Sequence, residues 1–126
     1  MTPGVAPLIG VIDDDEDIPL ALSSLLRSLG YRSECFASCA ALLSCPSLGD
    51  FACLISDVHM PLISGIELIA KVHAIFPNLP VILMTGRFDA TLLERASRAG
   101  AASLLSKPFN AEDVDRRLAE VMAPRS

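Results

Sequence analysis

Side chains of complementary chemistry stand at the ends of short aliphatic runs. Asp13, Asp14 and Asp15 follow the run Leu8 to Ile12, and Asp57 follows Phe51 to Ser56. Thr85, with Gly86, follows Pro80 to Met84, and Lys107, with Pro108, comes just after Ala102 to Leu105. Carboxylates that converge without compensation repel one another and raise each other's pKa, so such a cluster calls for a cation. Hard oxygen ligands with open positions for water and phosphate oxygens suit Mg2+ better than a softer transition metal. With an ammonium and a hydroxyl added, the inventory is that of phosphoryl transfer. It holds a carboxylate nucleophile, positive charge to neutralise the phosphoryl oxygens, and a hydroxyl to hydrogen-bond one of them. Taken singly the pieces are ordinary. Acidic residues after a strand are common helix N-caps, which is the reading for Asp15, Glu16 and Asp17. A Thr-Gly or a Lys-Pro alone is a turn. The set carries meaning only where a fold brings it to one place.

The elements that would do so follow from the sequence period. Short aliphatic runs alternate with segments of helical period about every 25 residues, five times over, as in repeated βα units. The expected strands are Leu8 to Ile12, Tyr31 to Phe36, Phe51 to Ser56, Pro80 to Met84 and Ala102 to Leu105. In the first helical segment Leu22, Leu25, Leu26 and Leu29 share a face and Gly30 stops the helix. The last starts at Asn110 as N-cap, with acidic residues in its first turn and Val114, Leu118 and Val121 on one face. Strands one, three and four are nearly unbroken apolar runs, as in parallel strands covered on both faces, whereas Tyr31 to Phe36 alternates like an edge. The expected fold is α/β, a doubly wound five-stranded parallel sheet of flavodoxin-like order 2-1-3-4-5 with five helices. In that order the strand sequence reverses between strands one and three, where Asp13, Asp14 and Asp57 end, and Thr85 and Lys107 join the same rim.

Composition narrows the alternatives. The chain has 126 residues, the size of one domain. Hydrophobic residues are 52% and charged residues 20%, which excludes disorder as the ground state. A net charge of −5 argues against direct nucleic-acid contact and against an anionic membrane surface. The longest charge-free windows, Cys35 to Gly49 and Val72 to Gly86, hold 15 residues each, short of the roughly 20 that a membrane helix needs. No basic start with an apolar h-region opens the sequence, so a cytoplasmic location is expected. The four cysteines lack metal-ligand spacing and are expected to be free thiols, small buried hydrophobes rather than ligands. Met1 to Pro7 and Ala123 to Ser126 are expected to be loose ends.

The motifs Val11-Ile12-Asp13-Asp14-Asp15, Ser56-Asp57-Val58-His59-Met60-Pro61 with Ser64-Gly65-Ile66-Glu67-Leu68, Met84-Thr85-Gly86 and Gly100-Ala101 leading to Lys107-Pro108-Phe109 form a highly specific set. On them the chain resembles the receiver domain of bacterial two-component response regulators (the CheY-like superfamily), over about residues 8 to 122 of a single domain spanning 1–126. The resemblance implies that Asp57 accepts a phosphoryl group from a phosphohistidine on a sensor histidine kinase or phosphotransfer protein. It implies that Asp13, Asp14, Asp57 and the His59 backbone carbonyl hold Mg2+, that Lys107 binds the phosphoryl group, and that the Lys107–Pro108 peptide is cis. Thr85 would move toward the phosphoryl oxygen and shift the surface of helix 4, strand 5 and helix 5, a population shift between two packings. His59 and Arg87 would flank the phosphoryl group and tune its lifetime. His73 is read as structural or exposed.

Two residues depart from the family pattern: Leu104 stands where an aromatic ring usually reports the Thr movement, and Pro19 stands where many relatives have Arg. Pro is tolerated in a first helical turn, whose N–H groups lack helical partners. The output domain or protein is unidentified and is expected in a separate protein or a further C-terminal region; a phosphorylation-dependent homodimer is a further expected partner. The domain is not expected to be an enzyme beyond phosphorylating and dephosphorylating itself at Asp57. Two alternatives are a phosphorylation-independent pseudo-receiver module and an aspartyl-phosphate phosphatase of haloacid-dehalogenase type. The latter wants a second Asp where this chain has His59. A flavodoxin-like electron carrier would need aromatic residues to sandwich its flavin, and the chain has one Tyr and no Trp.

Overall fold

Each aliphatic run becomes a strand because its two faces have different covers. In β3 (Cys53–Asp57) and β4 (Val81–Thr85) every residue is buried. Leu54, Val81 and Leu83 join one apolar cluster, and Cys53, Ile55, Ile82 and Met84 join the other. The first cluster is covered by α2 (Cys39–Leu43), α3 (Gly65–His73) and α4 (Ala90–Ala99), through residues such as Leu42, Leu68, Val72 and Leu92. The second is covered by α1 (Asp17–Ser28) and α5 (Ala111–Met122), through Leu22, Leu26, Val114 and Leu118. The structure, a computed structural model, describes residues 6–60, 63–87 and 89–122.

With β1 (Leu8–Ile12), β2 (Arg32–Phe36) and β5 (Ser103–Ser106), these strands form one parallel sheet of order β2-β1-β3-β4-β5, the order expected. The edge strand β2 is largely exposed. Strand starts shift in four places, one of them at Pro80, which precedes β4. Tyr31 precedes β2, and Ala102 precedes β5. Phe51 is taken up in closing a short 3-10 turn, Leu48–Asp50, and packs edge-on against Phe36 with ring centroids 5.9 Å apart. At the other end the ladder runs one residue further than expected. Asp57 and Thr85 are the last residues of β3 and β4, in register with Met84 and Ser106.

The expected caps are present with one change of detail. Asp15 Oδ1 accepts from the Asp17 amide at 2.7 Å and from the Ile18 amide at 3.3 Å, so Asp15 caps α1 while Glu16 makes no cap bond. Asn110 Oδ1 accepts from the Asp113 amide at 2.9 Å, and Gly30 ends α1 at a φ of 93°, where a side chain would be strained. Of the expected loose ends, residues 1–5 and 123–126 lie outside the described residues. Ala6 and Pro7 are tied to the sheet, since the Arg32 side chain donates to the Ala6 carbonyl and the Arg32 amide to that of Pro7, both at 2.9 Å. All four cysteines are free thiols. Cys39 and Cys53 are buried as expected, but Cys35 is exposed because it lies on the edge strand.

Candidate phosphoryl and metal site

Strand ends converge at the crevice beside the β1–β3 pair. Asp13 follows β1 directly; its amide donates to the Phe36 carbonyl at 3.1 Å, and its Oδ1 accepts from the Asp15 amide at 2.9 Å. Asp57 ends β3 and Asp14 sits exposed at the rim. One carboxylate oxygen from each of Asp13, Asp14 and Asp57 lies within 4.8 Å of the others, a spacing at which a single cation can be shared. Asp13 and Asp57 are 1% and 6% exposed, so their charges are largely withdrawn from water. An all-carboxylate donor set of this kind fits Mg2+.

Lys107 supplies the fixed positive charge. Its Nζ lies 3.1 Å from Asp13 Oδ2 and 3.5 Å from Asp57 Oδ1. The Lys107–Pro108 peptide is cis, as expected, and the Lys107 amide donates to the Thr85 carbonyl at 2.8 Å. Burial pushes the Asp57 carboxyl above the ordinary aspartate range. The Lys107 ammonium pulls it back, Asp13 adds to the rise, and the His59 amide, 3.4 Å from Asp57 Oδ1, opposes it. This is a carboxylate held in a site with less positive charge than it needs, a shortage that an added cation would relieve.

The start of α3 is set by close approach to β3. Gly65 opens α3 directly against β3, its amide donating to the Val58 carbonyl at 3.1 Å. A Cβ there would collide with the Asp57 carbonyl oxygen and meet Leu83 Cδ2 at 3.0 Å. Ser64 locks the start of the helix with a capping box, accepting from the Glu67 amide at 3.2 Å while Glu67 Oε1 accepts from the Ser64 amide at 3.3 Å. In the sequence Gly65 figures only within the motif Ser64-Gly65-Ile66-Glu67-Leu68; its approach to Asp57 belongs to the three-dimensional structure. Pro61, part of the same motif, lies outside the described residues.

Thr85 is fully buried, and its hydroxyl bonds to the Arg87 backbone and faces the His59 imidazole. His59 and Lys107 reach Asp57 directly; Thr85 is joined to both, through the His59 imidazole and the Lys107 amide, and Arg87 reaches Thr85 through its backbone alone. Leu104 is buried in β5 on the α4 side of the sheet. His73 lies away from the site, its Nε2 2.9 Å from the Leu79 carbonyl, which is the structural role expected of it. A concavity of about 1430 Å3 takes in none of Asp13, Asp14, Asp57, Thr85 or Lys107; Pro7, Tyr31, His73 and Pro80 line it, at the end where the strands begin. In an open α/β sheet chemistry belongs at the carboxyl ends, where the carboxylates are.

The family model for the response regulator receiver domain matches residues 9–119. The chain belongs to the response regulator receiver family. This receiver is 39% identical over 109 residues to the response regulator protein TmoT of Ectopseudomonas mendocina, covering 85% of this chain and 49% of that one. It is 40% identical over 102 residues to the transcriptional regulatory protein FixJ of Azorhizobium caulinodans, covering 81% of this chain and 48% of that one. The receiver thus spans about half the length of these curated relatives. Among solved structures it is similar to the chemotaxis response regulator CheY4 of Vibrio cholerae, with a TM-score of 0.85 at 27% identity over 93% of this chain and 99% of that one. A beryllofluoride-activated DrrB receiver domain gives 0.85 at 29% identity, over 95% and 100% of the two chains. No described helix is long and apolar enough to cross a membrane.

Proposed function

We propose that Asp57 is the phosphoacceptor of a two-component signalling system, taking a phosphoryl group from a phosphohistidine on a sensor kinase or phosphotransfer protein. The observation that carries this reading is the meeting of three carboxylates within 4.8 Å with the Lys107 ammonium, 3.5 Å from Asp57 Oδ1. An Asp57 oxygen forms the new O–P bond as the donor's N–P bond breaks, leaving the phosphoryl group as an acyl phosphate and the imidazole as the leaving group. Asp13, Asp14, Asp57 and the His59 carbonyl are the groups to hold Mg2+. When bound, the ion supplies positive charge opposite the phosphoryl oxygens and relieves the repulsion among the carboxylates.

Lys107 pairs with a second phosphoryl oxygen, and the Thr85 hydroxyl donates to a third. The Thr85 movement biases the surface of α4, β5 and α5, with Leu104 filling space where an aromatic ring would otherwise follow. The 126 residues act as one receiver domain in the cytoplasm, with no turnover beyond phosphorylating and dephosphorylating Asp57 and no direct nucleic-acid contact. Their partners are the kinase, an output domain or protein, and a second copy of the chain once phosphorylated. Incubation with acetyl phosphate and Mg2+ tests this, read by intact mass. A hydroxylamine-labile phosphoryl adduct is expected on the wild type and none on Asp57→Ala; an equal adduct on both would refute the assignment.

A further inference from the structure

The Thr85 hydroxyl has one hydrogen to give and two lone pairs to fill. The Arg87 amide donates to Oγ1 at 2.9 Å, and Oγ1 donates to the Arg87 carbonyl at 3.1 Å. One lone pair is left, and His59 Nε2 faces it at 3.4 Å. With the hydroxyl hydrogen already committed to Arg87, the imidazole is the donor, so His59 carries a hydrogen on Nε2 in this arrangement. The three bonds fill the capacity of the hydroxyl, and none of them goes to Asp57. Thr85 can offer its hydrogen to a phosphoryl oxygen only after it gives up the Arg87 carbonyl and turns away from His59.

We infer that His59 is a positioning residue that holds the Thr85 hydroxyl in its resting arrangement, so that the imidazole opposes the switch until a phosphoryl group on Asp57 outbids it. This goes beyond the phosphoacceptor reading but rests on it, because the competing acceptor is the group on Asp57. The two residues lie 26 positions apart, His59 after β3 and Thr85 at the end of β4, so the bond ties the chain just after β3 to the end of β4. His59 is exposed whereas Thr85 is buried, so the imidazole can be exchanged without opening the core.

The bond is long, at 3.4 Å, and its loss should move the switching equilibrium by about two- to fivefold. The test is titration of the 126-residue chain with beryllofluoride in the presence of Mg2+, following the backbone amide resonances of Val58, Thr85, Gly86 and Arg87. His59→Leu, of similar bulk without a donor, should reach half-change of the Thr85 to Arg87 resonances at about two- to fivefold lower beryllofluoride. His59→Gln, whose amide N–H reaches the same place, should return the midpoint to the wild-type value. Without beryllofluoride the melting temperatures of the three proteins should differ by no more than about 2–4 °C, the loss of one such bond, whereas a merely structural His59 would move them and leave the midpoint alone. A His59→Leu midpoint at or above the wild-type concentration overturns the inference while leaving the Asp57 site intact. Wild-type resonances that respond at Val58 but not at Thr85 do the same. If none of them responds, the phosphoacceptor reading falls and the inference falls with it.

Discussion

Among the described residues Lys107 alone faces the two buried carboxylates of Asp13 and Asp57, and the exposed Asp14 adds negative charge at their rim. Removing one charge from this group should help the fold when Mg2+ is withheld. Asp57→Asn is expected to raise stability at pH 7 in EDTA by about 1 kcal/mol, roughly 4 °C in melting temperature for a domain of this size. The pH dependence has a definite sign. The Asp57 carboxyl is raised in the folded protein, so the folded state binds its proton more tightly than the unfolded chain does. Its contribution is therefore neutral below the unfolded value and becomes a penalty as pH rises through the window up to the raised folded value. The difference between wild type and Asp57→Asn should open with rising pH across that window and stay constant above it. Added Mg2+ should stabilise the wild type by an amount that grows with its concentration and should stabilise Asp57→Asn less. Thermal melts from pH 4 to 8, with and without the ion, read all of this; a wild type that gains stability relative to Asp57→Asn as pH rises would contradict it.

At the scale of elements, the start of α3 sets the position of Asp57. Gly65→Ala places a methyl against the Asp57 carbonyl oxygen and Leu83, backbone and core atoms that yield poorly. A loss of about 1–3 kcal/mol is expected from denaturant midpoints, together with weaker Mg2+ binding by calorimetry. A variant with both quantities unchanged would show that the helix start can move freely. Gly65 stands out in the sequence only as part of a motif, and its contact with the Asp57 carbonyl is a matter of three-dimensional approach. The strands were legible because burial on both faces demands unbroken apolar runs, and the convergence of Asp13, Asp57, Thr85 and Lys107 followed once the strand order was known. Strand limits were less so: Phe51 has the same apolar character as a strand residue, and only its amide bond back to the Leu48 carbonyl assigns it to a turn. Contacts made between loops, such as His59 with Thr85 or Gly65 with Asp57, depend on how two turns face each other. No period in the chain encodes that. The exposure of Cys35 was missed for a related reason, since an edge strand leaves a face uncovered that a central strand would bury.

Across the whole molecule, the sheet divides the core into two apolar clusters, and a thiol sits in each. Cys39 lies on the α3 side, where burial pushes its pKa up to about 11, and Cys53 on the α1 and α5 side, where burial pushes it up to about 12. Both should resist a thiol reagent in the native state while the exposed Cys35 reacts at once. Because the clusters share the same central strands, Cys39 and Cys53 should become reactive with one common opening free energy, equal to that of global unfolding. Labelling against denaturant concentration, resolved by mass, checks this; a Cys39 that opens well before Cys53 would mean that the two sides come apart separately. The sheet also bears on how far a local event can travel. The Lys107 amide is bonded to the Thr85 carbonyl, so the ends of β4 and β5 are coupled through the backbone itself. A rearrangement at Thr85 that shifts its carbonyl therefore reaches β5 without needing any particular side chain at position 104. Seen this way the last rung of the sheet is a crossbar, and the side chain that differs from the family pattern rides on a linkage already made.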